Sequence, residues 1–308
     1  MRAIVLGSAA GGGFPQWNCG CPNCVAVRQR RDGYLARTQD SIAITSSPSL
    51  DDARFALVNA SPEILLQIQR TSALWPRAPR HSPIGAIVLT NGDMDHILGL
   101  FSLRESSPLA LYVTGAVRRG LEESVLIRTL RRFDGQLVIR ELPLDRAVTL
   151  ADASGESLGL DVRAFPTAGK LPVHFVGHAK ESPEDSVGLS FTEAGRADGP
   201  SLAYAAACGS AEEGKRLEGH DVIFFDGTFF REDELVRLGL SKSMAKDMAH
   251  VPIDGDSGSL AKLAGLRGRK IYTHINNTNP ILAPDSEERR RVLAAAWEIA
   301  YDGMEIAL

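Results

Sequence analysis

The sequence lacks any long hydrophobic segment. No stretch of its 308 residues approaches the roughly 20 consecutive apolar residues that a membrane-spanning helix needs. The first apolar run, Ala3–Leu6, is much shorter than the hydrophobic region of a secretory signal peptide, and it ends at glycine. We therefore expect a cytoplasmic protein that begins with a β-strand and does not bind a membrane.

The sequence also lacks an excess of charge of one sign. Its 34 Lys and Arg residues face 38 Asp and Glu residues, so the formal net charge is -4. Such a balance supplies no positive field for holding nucleic acid, and no nucleic-acid partner is expected. Hydrophobic residues make up 44% and charged residues 23%, which is typical of a chain that builds a large core.

Cysteine is scarce, but its distribution is informative. Of four cysteines, three fall within six residues, namely Cys19, Cys21 and Cys24. In a reducing compartment such a cluster indicates metal, and three thiolates at this spacing suit a tetrahedral Zn²⁺ site. We predict a structural zinc knuckle at residues 19–24. Its fourth ligand is left open between Cys208, a histidine and Asn277.

Short apolar runs separated by glycine and proline predict β-strands from Ala3–Leu6 to Ile271–Tyr272. Helical spacing predicts helices at Pro62–Arg70, Ala116–Phe133, Gly258–Ala264 and Ser286–Ala300. Strands and helices do not alternate strictly along the chain. This order favours large sheets covered by helices in one α/β domain spanning residues 1–308.

Three predicted strands end in side chains that can bind metal. The first is followed by Asp93, Asp95 and His96. Capping the next helix would need only one of the aspartates, so the other side chains call for another role. The others end at Asp226 and His274, and each of these alone is more often an ordinary hydrogen-bonded polar residue. Together they predict one shared site at the strand ends.

The predicted ligands are His96, His274 and one carboxylate, from Asp93, Asp95 or Asp226. This is the stoichiometry of non-haem Fe(II) oxygenase centres. His250 lies in a loop between these segments, where it is either a general acid/base or an exposed loop histidine.

The motifs resemble those of the metallo-β-lactamase superfamily, whose αββα sandwich gathers ligands at strand ends. The superfamily's His-x-His-x-Asp-His motif corresponds to residues 91–96, and its last histidine to His274. His250 corresponds to an additional histidine of the tRNase Z and phosphonate-phosphodiesterase branch. From Gly11–Cys24 to Tyr301–Glu305, the chain is similar to a branch that acts in the biosynthesis of pyrroloquinoline quinone (PQQ).

The sequence departs from the hydrolase pattern in two places. Asn91 and Asp93 replace the first two motif histidines, and the segment expected to supply a metal-bridging aspartate reads Ala207-Cys208-Gly209. Two-metal hydrolysis needs both ions, and half of that site is missing. The departure favours single-metal redox chemistry.

The resemblance implies Fe(II) in the active site, O₂ as co-substrate, and hydroxylation of the tyrosine-derived ring of a Glu-Tyr-type intermediate. In our hypothesis His250 and Asp226 move protons during this reaction. The implied partner is a small-molecule or dipeptide-derived quinone precursor, and association with other PQQ-biosynthesis enzymes and a homodimer are left open. The alternatives are a PQQ carrier that assists export and a metal-dependent hydrolase.

Overall fold

Two mixed β-sheets form the centre of the molecule, which is described here from a computed structural model covering residues 1–105, 107–177, 179–196 and 198–308. The strands of this described part are β1 (Arg2–Gly7), β2 (Ser41–Thr45), β3 (Phe55–Val58), β4 (Ile84–Val88), β5 (Leu109–Val113), β6 (Leu137–Glu141), β7 (Ala147–Ala151), β8 (Ser157–Pro166), β9 (Val187–Glu193), β10 (Ser201–Ala205), β11 (Val222–Asp226), β12 (Arg269–Thr273), β13 (Trp297–Ile299) and β14 (Glu305–Ala307).

Short helices connect and cover these strands. They are α1 (Pro22–Arg28), α2 (Ile64–Arg70), α3 (Met94–Ile97), α4 (Gly115–Leu121), α5 (Val125–Leu130), α6 (Gly214–Leu217), α7 (Glu234–Arg237), α8 (Ser259–Lys262) and α9 (Glu287–Ala294). None of the helices in the described residues is both long and apolar enough to cross a bilayer.

The strand order is β14-β1-β2-β3-β4-β5-β6 in the first sheet and β13-β12-β11-β10-β9-β8-β7 in the second. In the first sheet, β3 to β6 run parallel. In the second, β10 to β13 run parallel. The remaining pairs are antiparallel, so each sheet is mixed.

Three apolar layers hold the sheets and helices together. Because successive strand residues point to opposite faces, Val88 packs between the two sheets while Ile87 packs under the helices of the first sheet. In the second sheet, Phe224 likewise packs between the two sheets, while Phe225 packs on the opposite face. The central strands, such as β2 to β5 and β11, are buried on both faces, which is why they appear in the sequence as continuous apolar runs. This arrangement confirms the predicted αββα sandwich.

Two predicted helices are wrong in extent. The segment Ala116–Phe133 forms two helices, because the Ser124 hydroxyl accepts a hydrogen bond from the Ile127 N–H and caps the start of α5. The last predicted helix ends at Ala294, and β13 follows it as an edge strand parallel to β12. There Trp297 stacks on Tyr272 with ring centroids 4.1 Å apart, a tertiary contact that overrides the helical spacing.

Candidate metal centre

The predicted ligands meet at the carboxyl ends of strands from both sheets. Asp95 and His96 lie on α3, shortly after β4, and His274 directly follows β12. The loop after β1 joins the two sides, because the Ala10 N–H donates to the Ile275 carbonyl over 3.0 Å. This edge is where parallel strands commonly collect functional groups.

Asp95, His96 and His274 turn their donor atoms to one point. Oδ2 of Asp95 lies 3.4 Å from Nε2 of His274 and 3.7 Å from Nε2 of His96. Nε2 of His96 is buried and has no hydrogen-bond partner among the described residues. Because an unpaired buried nitrogen is costly, this atom indicates a missing ligand. One carboxylate and two imidazoles therefore fit a metal ion.

The electrostatics of these side chains agree with such a site. Burial lowers the pKa of His96, so its ring is neutral, which is the form that binds metal. Burial opposes charge on His274 too, but the hydrogen bond and negative charge of Asp95 outweigh it and raise the pKa to about 9. Burial likewise disfavours the Asp95 carboxylate, whose pKa the facing imidazoles nevertheless lower. A metal ion must displace the proton of His274.

Two threonines orient the imidazoles. The Thr90 hydroxyl donates to Asn59 Oδ1 and lies 3.1 Å from Nδ1 of His96, so that Nδ1–H donates to it. The Thr228 hydroxyl donates to the His274 carbonyl and lies 2.8 Å from Nδ1 of the same ring. In both rings Nδ1 is occupied and Nε2 is left for a ligand, as in many metal sites. No pattern in the sequence indicates these two roles, although each threonine lies just beyond a strand end.

The backbone at His274 is itself unusual. Its φ of 54° lies in the left-handed region, which a non-glycine residue rarely adopts. Such strain persists only where surrounding contacts enforce it, and it concentrates at functional sites. The conformation turns the imidazole from the strand end toward Asp95.

Asp226 and His250 form a pair beside this cluster. Oδ2 of Asp226 lies 2.6 Å from Nδ1 of His250 and accepts from the Cys208 N–H, while Oδ1 accepts from the Thr228 N–H. The rings of His250 and His274 stack with centroids 5.3 Å apart. Ligand-type atoms of Asp226, His250 and His274 also lie within 4.8 Å of one another.

Asp93 lines the same cavity, but it is not a member of either histidine-containing group of ligand atoms found among the described residues. Burial raises the pKa of its carboxyl group. Its side chain does not cap α3 either.

The cluster opens into a cavity of about 280 Å³. Part of its wall is the glycine loop that follows β1. A Cβ atom at Gly11 would lie 3.2 Å from Oδ2 of Asp95, so a side chain there would crowd the ligand. The glycine loop therefore gives close backbone approach at the edge of the site, as its sequence suggests.

The three clustered cysteines form a second centre, with ligand atoms within 4.8 Å of one another. The side-chain amide nitrogen of Asn277 lies 3.1 Å from Sγ of Cys19, 3.6 Å from Sγ of Cys21 and 3.4 Å from Sγ of Cys24. Cys208 lies elsewhere, beside Asp226. Of the open alternatives for the fourth ligand, the structure places Asn277 against the sulfurs.

Burial raises the pKa of Cys24 to about 12, so a thiolate there requires a nearby cation. The cysteine cluster thus fits a metal ion in its chemistry as well as in its spacing.

Comparison with known proteins agrees with the fold. The family model for the beta-lactamase superfamily domain matches residues 54–275. The chain is 42% identical to coenzyme PQQ synthesis protein B of Rhizobium meliloti, covering 100% of this chain and 98% of the relative. It is 44% identical to the protein of the same name from Methylobacterium nodulans, over 100% of both chains.

A solved structure extends this comparison to three dimensions. The crystal structure of Zn²⁺-bound PqqB from Methylobacterium extorquens is 36% identical and aligns over 100% of both chains with a TM-score of 0.89. With this level of identity over the full length, the chain belongs to the coenzyme PQQ synthesis protein B family of the metallo-β-lactamase superfamily.

Proposed function

We propose that this chain acts in PQQ biosynthesis by hydroxylating the tyrosine-derived ring of a Glu-Tyr-type intermediate, with Fe(II) and O₂. The observation that supports it most is the convergence of one carboxylate and two imidazoles, the donor set of non-haem Fe(II) oxygenases. Asp95, His96 and His274 would hold the ion. When bound, Fe(II) supplies the one-electron and O₂ chemistry that amino-acid side chains cannot provide.

His250 is the proton-transfer residue in this proposal. Its Nδ1–H donates to Asp226, so the lone pair of Nε2 is available to take a proton from a phenol or ring carbon. His250 lines the cavity, as this role requires. Because hydrogen bonds occupy both oxygens of Asp226, we assign that residue to orienting His250 rather than to binding the metal.

We further propose that Cys19, Cys21, Cys24 and Asn277 hold a structural zinc ion. Asn277 lies three residues after His274 in the same loop, so the ion would fix the segment that presents His274. The Asn23 side chain supports this loop by donating to the carbonyls of Asn277 and Asn279. The zinc centre would therefore preorganise the active site without entering the reaction.

The decisive experiment is anaerobic reconstitution with Fe(II), followed by measurement of O₂ consumption and product mass. The substrate is a Glu-linked dihydroxyphenylalanine dipeptide. An oxygenation that takes both electrons from the catechol adds one oxygen atom, removes two hydrogens and forms water. We expect this mass change with the wild type and its loss in His274→Ala. The control His81→Ala, an exposed histidine outside the site, should keep it.

Two other results would replace the proposal. Tight quinone binding without O₂ uptake would favour the carrier. Turnover of a generic phosphodiester that disappears in His96→Ala would favour a hydrolase.

A further inference from the structure

Lys170 is a positive charge without a partner at the metal cavity. Among the described residues that line the cavity, it is the only Lys or Arg. Its ammonium group makes no hydrogen bond or ion pair within the described part of the chain, and the side chain is exposed. Asp93 lines the same cavity.

The backbone next to Lys170 packs closely against Ser186. A Cβ atom at Gly169 would lie 2.2 Å from Cβ of Ser186, so only glycine allows this approach. Ser186 is in turn hydrogen-bonded to Thr167 over 3.0 Å. This close packing positions the backbone from which the Lys170 side chain extends.

Lys170 also lies on the wall between two cavities. The metal cavity of about 280 Å³ shares Gly169, Lys170 and Ser186 with a neighbouring cavity of about 570 Å³. An apolar cavity of roughly 150 Å³ holds benzene, so the metal cavity has room for one substituted aromatic ring. The polar tail of a longer substrate would extend out of this cavity, and Lys170 lies on the wall that faces the neighbouring cavity.

We propose that Lys170 binds a carboxylate of the substrate and thereby selects acidic aromatic compounds whose ring occupies the metal cavity. The inference rests on the proposed function, which it extends to substrate selection. A divalent ion would balance the charges of Asp93 and Asp95, so the charge of Lys170 remains to attract an anion.

A carboxylate suits this position better than a phosphate. Phosphate sites usually combine several cations or helix N-terminal N–H groups, whereas one lysine stands here. Glu181 and Asp185 on the wall of the second cavity add negative charge, which would repel a second anion beyond Lys170.

Binding affinity tests the proposal separately from catalysis. The Zn²⁺-loaded full-length protein is titrated anaerobically, by calorimetry, with the Glu-linked dihydroxyphenylalanine dipeptide and with its analogue in which both carboxylates are amides. We expect the wild type to bind the acid about tenfold more tightly, as for one charge-assisted hydrogen bond. Lys170→Gln should abolish this preference and leave amide binding within about twofold. Lys170→Arg should restore the preference.

Lys180→Gln is the matched control, because this exposed lysine of the same segment lines neither cavity. The proposal would be overturned if the wild type bound the acid and the amide with equal affinity. It would also be overturned if Lys170→Gln lost the same factor in affinity for both ligands. Displacement of the dipeptide by inorganic phosphate at lower concentrations than by acetate would overturn the choice of carboxylate. If the wild type prefers the acid to the amide but consumes no O₂, hydroxylation is refuted and the role of Lys170 stands. If the wild type hydroxylates the dipeptide and Lys170→Gln still prefers the acid, the role of Lys170 is refuted and hydroxylation stands.

Discussion

Replacing Thr228 by valine tests whether the threonine orients a metal ligand. Valine has nearly the same shape but cannot accept the hydrogen bond that joins Nδ1 of His274 to the hydroxyl over 2.8 Å. A buried polar group left unpaired costs about 1–3 kcal/mol. Loss of a hydrogen-bond partner behind a metal ligand typically weakens metal binding about 10- to 100-fold, which lies in the same energy range. We therefore expect Thr228→Val to bind metal about 10- to 100-fold more weakly.

The assay is competition for Zn²⁺ or Co²⁺ between the protein and a chromophoric chelator, with the cysteine centre already loaded. Thr228→Ser is the control, because serine keeps the hydroxyl and should stay within about threefold of the wild type. Circular dichroism of each metal-free variant checks that the fold is intact. If valine and serine both bind metal like the wild type, the hydroxyl does not orient His274, and our account of the site is wrong.

Three further predictions concern stability. Cys21→Ser should lose the zinc of the cysteine cluster and reduce folded yield, because metal binding and folding share free energy; metal analysis by mass spectrometry measures this. Phe224→Ala should lower the free energy of unfolding by about 3–5 kcal/mol in denaturant titrations, since the ring is fully buried between the sheets. Glu234→Gln should flatten the pH dependence of stability, because burial raises the pKa of this carboxyl to about 7.

The sign of the Glu234 effect follows from proton linkage. The folded state binds the proton more strongly than the unfolded state, whose pKa is 4.5, so stability falls as pH rises from about 4.5 to 7. The difference amounts to about 3 kcal/mol, fully developed above pH 7. Urea titrations at several pH values measure this difference, and an unchanged dependence of stability on pH in Glu234→Gln would contradict the assignment.

For Phe224→Ala the control is the exposed Phe133→Ala, expected to change stability by less than about 0.5 kcal/mol. Retention of zinc in Cys21→Ser would rule out the cysteine centre.

Patterns within short segments are readable from the sequence, because strand and helix periodicity depends on neighbouring residues. The apolar runs that became β4, β11 and β12 are such patterns, and each ends in side chains that the fold brings together. The close spacing of Cys19, Cys21 and Cys24 likewise keeps the three sulfur atoms near one another along the chain. Family resemblance added the αββα fold, whose sheet order no local pattern contains.

Other features depend on contacts between distant parts of the chain. Asn277 meets the sulfur atoms of residues more than 250 positions away, so spacing alone left the fourth ligand open. Helical spacing predicted a helix through Trp297, but stacking on Tyr272 made the segment a strand.

The sequence by itself determined which residue types stand at the strand ends, and hence which side chains are candidate metal ligands. The tertiary structure decided which of them share a point in space: Asp95 with His96 and His274, Asp226 with His250, and Lys170 at the cavity wall. The physical reason is that ligand chemistry resides in single side chains. Distance and burial, in contrast, arise only when two sheets pack together.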